Sequence, residues 1–106
     1  MEAARTCDRL RSMSLVRLAA PLPDGRTRAR AAFDLAQDLA DRTAALAGRP
    51  ARRLPELADP AAGDVLAVCA QDLLEELVTL TIAAPGPSEE ECRRAVEALV
   101  ALRQSL

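Results

Sequence analysis

At 106 residues the chain has the length of one domain with one core, and its 14 basic side chains, all Arg, nearly balance 16 Asp and Glu for a net charge of −2. Half of the residues are hydrophobic, yet Phe33 is the sole aromatic, and His, Lys, Trp and Tyr are absent. This excludes a core of aromatic and β-branched strands, and it removes most of the side chains that serve as general bases or Schiff-base nucleophiles.

Pro and Gly clusters at 20–25, 48–50 and 84–87, with further breaks at Pro55 and Pro60, divide the chain into four segments. The first, residues 2–20, sets Ala3, Cys7, Leu10 and Met13 near one helical face, with Arg11 and Arg17 intruding. Its pattern allows a helix joined to the rest or, if order begins near Met13, a loose tail over residues 1–12. The second, from about Arg26 to Ala47, puts Ala32, Leu35, Ala36, Leu39, Thr43 and Leu46 on one stripe and Arg30, Asp34, Asp38 and Arg42 opposite. Its i,i+4 pairs, Arg30 with Asp34 and Asp38 with Arg42, add about 0.2–0.5 kcal/mol each, little beside burial of the stripe. Gly48 is a natural stop. Residues 51–57 then predict either a short helical turn held by Leu54 and Leu57 or a flexible loop.

Asp59-Pro60 predicts the next helix start, with a carboxylate to cap free N–H groups and Pro at the first helical position. From there to about Ala84, Leu66, Cys69, Ala70, Leu73, Leu77 and Leu80 make an apolar face. Ala67, Leu74 and Val78 widen it to about half the circumference, enough for two neighbouring helices. Asp72, Glu75 and Glu76 fill the remaining arc. Ser88-Glu-Glu-Glu91 predicts a capping box at the start of the last helix, whose stripe is Cys92, Ala95, Val96, Leu99, Leu102 and Leu106.

The fold class that follows is all-α: a single helical domain over residues 1–106, built as an antiparallel bundle of about four helices with the third segment at its centre. If the first segment leaves part of the wide third stripe bare, dimerisation completes the bundle, because large apolar patches are seldom left in water. Leu66, Leu73, Leu74, Leu77 and Val78 are therefore expected in the core or in an interface.

Little in the sequence points to catalysis. Cys7, Cys69 and Cys92 lack metal-binding spacing and read as small apolar core residues. Asp72 with Glu75 or Glu76 lacks the His that helical di-metal sites pair with Glu, and reads as a solvated face. The glycines stand at separate turns and form no phosphate loop. No catalytic residue, metal or cofactor is implied. The most apolar stretch, 65–84, carries Asp72, Glu75 and Glu76, so no bilayer span is expected, and Glu2, Asp8 and the missing apolar centre argue against an export signal. A cytoplasmic protein is expected.

The charge is unevenly distributed. Residues 1–53 hold 11 Arg and 6 acids, a balance of +5, and residues 54–106 hold 3 Arg and 10 acids, a balance of −7. The halves can face each other in one bundle, pair between two chains, or offer the basic half to an anion. For the last case Arg26, Arg28, Arg30, Arg49, Arg52 and Arg53 are the candidate anion-binding residues. The two clusters sit about 30 Å apart along a helix, so they can follow a duplex but cannot meet on one phosphate. The function expected is a non-catalytic protein–protein interaction module, homodimeric or bound to another protein, acting as adaptor, accessory subunit or regulator. The other reading is a nucleic-acid- or phosphate-binding regulator.

Overall fold

A computed structural model describes residues 2–83 and 87–106, with the side chains of 3–82 and 90–106. Among these residues there are five helices and no strand: α1 (Glu2–Arg11), α2 (Leu15–Ala19), α3 (Arg28–Leu46), α4 (Ala62–Ala83) and α5 (Pro87–Ser105). A 3-10 turn, Asp59–Ala61, leads into α4.

Hydroxyl caps decide two of the boundaries. The segment that reads as one unit over residues 2–20 breaks in two because Ser14, in extended conformation, accepts the Arg17 N–H at 3.2 Å and opens a new helix. Thr27 opens α3 in the same way, accepting the Arg30 N–H at 3.0 Å. Between them residues 20–27 close into a tight loop, with the Leu22 N–H donating to the Arg26 oxygen at 2.7 Å. That loop carries Leu22 into the core.

The end of α3 falls where Gly48 predicts. Gly48 adopts φ +69°, the left-handed region, while the Arg49 N–H reaches the Ala44 oxygen and the Gly48 N–H the Ala45 oxygen, the Schellman pattern. The start of α4 differs from expectation. Ala58 takes the cap position without a side-chain bond, and Asp59 and Pro60 lie inside the 3-10 turn, so the carboxylate acts through its charge near the positive helix end. The α5 helix begins at Pro87; the capping contact expected of Ser88 lies outside the described side chains.

Cross-helix contacts fix the directions. Arg42 near the end of α3 meets Glu91 near the start of α5, and Arg28 at the start of α3 meets Leu106 just past the end of α5, so these two helices are antiparallel. Arg11 at the end of α1 meets Asp64 near the start of α4 at 2.7 Å, so that pair is antiparallel too. In contrast, α3 and α4 run the same way. Asp59 lies beside Thr27 and Phe33 near the start of α3, and Asp72 lies beside Thr43 and Ala44 near its end. The stretch 47–58 makes this possible: its residues reach about 40 Å when extended, more than the roughly 28 Å length of a 19-residue helix.

Most of the side chains that the helical repeat selects are buried, while Leu35, Leu46, Ala70 and Leu80 are only partly covered. Ala32, Ala36, Leu39 and Thr43 of α3, Leu66, Cys69, Leu73 and Leu77 of α4, and Ala95, Leu99, Leu102 and Leu106 of α5 are all buried. Thr6, Cys7 and Leu10 of α1 join them, so residues 2–11 form a helix docked in the bundle. Full burial of a Leu contributes about 1.5–3 kcal/mol. The expected pairs Arg30–Asp34 (3.3 Å) and Arg42–Asp38 (3.0 Å) both form, but exposed pairs contribute at most about 1 kcal/mol. The stripes, not the charges, hold the fold.

Candidate functional site

The residues expected in core or interface divide cleanly. Leu66, Leu73 and Leu77 are 0–5% exposed and belong to the core, whereas Leu74 (37%) and Val78 (53%) turn outward. Ile82, 83% exposed, continues their line by another i+4 step; that spacing from Val78 is the sequence signal for it. Val68 on α4 and Val96 on α5 are exposed as well.

The cause is length. Asp72 already lies level with Thr43 and Ala44, and α3 ends at Leu46, so the last two turns or so of α4 extend past it. Because α1 meets α4 through Arg11 and Asp64 and is only 10 residues long, it falls short of those turns too. Among the described residues they have α5 alone as a neighbour, and a pair of helices cannot cover both faces of either member. The same overhang explains Cys92, which sits early in α5 and is exposed rather than part of the core stripe. Cys7 and Cys69 are buried, and burial pushes both thiols above the ordinary range. The charged residues of α4 are Asp64, Asp72, Glu75 and Glu76, without a cation.

The six candidate anion-binding arginines do not act as a set. Arg26 bonds Asp24 at 2.8 Å and Asp34 at 3.1 Å, and its guanidinium holds the Asp24 carboxyl below the usual carboxylate range. Arg30 pairs with Asp34 and stands 5.6 Å over the Phe33 ring. Arg28 turns to main-chain oxygens, those of Ala20 at 3.3 Å and Leu106 at 3.4 Å. Arg49, Arg52 and Arg53 are exposed on the connection between α3 and α4. Arg49 and Arg52 border the same surface depression as Asp72.

A different group of arginines does converge. Arg9 of α1, Arg17 of α2 and Arg28 of α3 place a guanidinium nitrogen 3.5, 2.8 and 3.4 Å from the Leu106 main-chain oxygen. No two of these nitrogens can be more than about 7 Å apart, a distance at which like charges repel even through solvent. The ion pairs found among the described residues include none of the three. All three face the Leu106 oxygen at the negative end of α5. The sequence did not mark this group, since its members lie on three separate segments; Arg28 alone was singled out.

A cavity of about 320 Å³ between α3 and the connection is lined by Phe33, Gln37, Arg53, Leu54 and Leu57 among others. Several of its polar groups already have partners. Gln37 donates to Asp41 and to the Arg52 oxygen and accepts the Leu54 N–H at 2.8 Å, while Asp34 is shared by Arg26 and Arg30. Among the described residues no cluster of Cys, Asp and Glu is placed to hold a metal ion, and no helix is long and apolar enough to cross a membrane. Comparison with protein-family models, with curated proteins and with solved structures finds no match.

Proposed function

We propose that the chain is a non-catalytic helical interaction module that pairs with a second copy of itself through the outward face of α4 and the adjoining part of α5. The supporting observation is the exposed stripe Leu74, Val78 and Ile82, whose last two members lie on turns of α4 that outrun α3. An apolar stripe of this kind gains about 25 cal/mol for each Å² removed from water, and a partner of the same shape is always at hand in a homodimer.

The charge pattern favours the same occupant. Each copy carries an α4 face with Asp72 and Glu75 and no cation, and beside it the exposed Arg49 and Arg52. Acids and arginines thus stand side by side on the surface of one copy, a pattern that a second copy can meet with opposite charges. Such a module works as an adaptor, accessory subunit or regulator by helix packing. Its three free thiols suit a reducing compartment, and we place it in the cytoplasm. A nucleic-acid role for the six arginines draws less support, because Asp24 and Asp34 neutralise Arg26 and Arg30.

Light scattering coupled to gel filtration tests the proposal. At high micromolar concentration the chain is expected to elute at twice its 11.3 kDa mass. Joint replacement Val78→Asp and Ile82→Asp is expected to give the monomer with an unchanged far-ultraviolet circular dichroism spectrum. A wild-type chain that stays monomeric at that concentration overturns the homodimer.

A further inference from the structure

We infer that the cavity between α3 and the connection 47–58 binds a short apolar peptide with free ends, at a site that shares no residue with the outward stripe of α4. The cavity holds about 320 Å³, at the lower end of the range for small-ligand pockets. The chain leaves it open: Phe33 and Leu54 on its walls are only partly buried, and Leu57 is 49% exposed. An apolar guest supplies the contacts that these walls lack.

The walls are held in place by the chain itself. Gln37 fixes the connection through the Arg52 oxygen and the Leu54 N–H, and Arg30, tied to Asp34, stands 5.6 Å over the Phe33 ring. A preformed pocket spares a ligand the cost of ordering it.

Charges of opposite sign stand at the two ends. Arg53, Glu56 and Asp59 line the cavity, and the ion pairs found among the described residues include none of the three. Arg53 lies between the two residues that bond Gln37, whereas Asp59 lies beside Thr27 at the start of α3. From Thr27 to Gln37 the helical rise is about 15 Å. A tripeptide spans about 10 Å when extended, and the side chains of Arg53 and Asp59 cover the rest. The peptide carboxylate then meets the guanidinium fork of Arg53, its ammonium meets Asp59 and Glu56, and its apolar side chains lie on Phe33, Leu54 and Leu57. A simple anion or cation satisfies one end alone.

Calorimetric titration of the full chain with trileucine tests the site, alongside its N-acetyl and C-amide derivatives and free leucine. Trileucine is expected to saturate one site per chain, and each capped derivative to bind at least tenfold more weakly. Leucine reaches one end only and is expected to lose at least as much. Arg53→Gln is expected to weaken trileucine about tenfold and to bind the C-amide no worse than the free acid. Asp59→Asn is expected to do the same for the N-acetyl form, and Arg94→Gln, on α5, to change nothing. If Asp59→Asn does not fold, the N-acetyl peptide reads the same contact on the unaltered chain. Absence of saturation, capped peptides that bind as tightly as the free one, or leucine that matches trileucine overturns the site.

Discussion

At Gly63 α1 and α4 approach tightly. A Cβ there would stand 2.9 Å from the Cys7 carbonyl oxygen and 2.9 Å from Arg11 Cγ. The Arg11 side chain can swing aside, but the Cys7 carbonyl belongs to the backbone of α1 and moves only with the helix. Gly63→Ala is therefore expected to destabilise the protein, despite the roughly 1 kcal/mol that Ala gains over Gly in a helix. Overpacking of this kind costs about 1–3 kcal/mol, and a net loss of about 1 kcal/mol should appear as a lower urea midpoint with an unchanged slope. Nothing in the sequence distinguishes Gly63 from a weak point early in a helix, because the contact is with a segment more than 50 residues away.

At the scale of elements, the sequence carries the stripes well and the joints poorly. The buried set of α3, α4 and α5 follows from the 3.6-residue repeat, since burial of Leu and Ala outweighs every local ion pair. The break at Ser14 and the start at Thr27 were available as N-cap residue types, but intervening Leu15, Val16 and the 20–25 loop blurred them. The course of residues 47–58 was not available at all, because it is held by a side chain of another element. Gln37 bonds both the Arg52 oxygen and the Leu54 N–H. Gln37→Ala leaves the half-buried Leu54 amide without its acceptor, so a loss of about 1–2 kcal/mol is expected. Hydrogen exchange at Leu54 should accelerate first, ahead of the amides of α3. Exchange at Leu54 unaffected by the substitution would show that the connection is held by other contacts.

For the whole molecule, the overhang of α4 and the meeting of Arg9, Arg17 and Arg28 arise only once the helices are assembled, which is why the outward α4 face proposed for pairing was half legible and the arginine junction was not. The role of α1 is a whole-molecule question as well, since the pattern of residues 1–12 fits either a docked helix or a loose tail. In the structure Cys7 is 1% and Leu10 2% exposed, and the buried Thr6 hydroxyl donates to the Leu99 oxygen at 3.1 Å. Removing residues 1–12, so that the chain starts at Met13, strips α4 and α5 of this cover. The loss of a buried Leu, a buried Cys and a buried hydrogen bond, together with newly exposed faces of Leu66 and Leu99, amounts to several kcal/mol. That is a large part of the 5–15 kcal/mol by which domains of this size are stable. Scanning calorimetry of the shortened chain is expected to show no cooperative transition, and the hydrophobic dye ANS to bind it where it does not bind the full chain. A sharp transition at the full-length melting temperature would instead make α1 dispensable and strike Cys7 and Leu10 from the core.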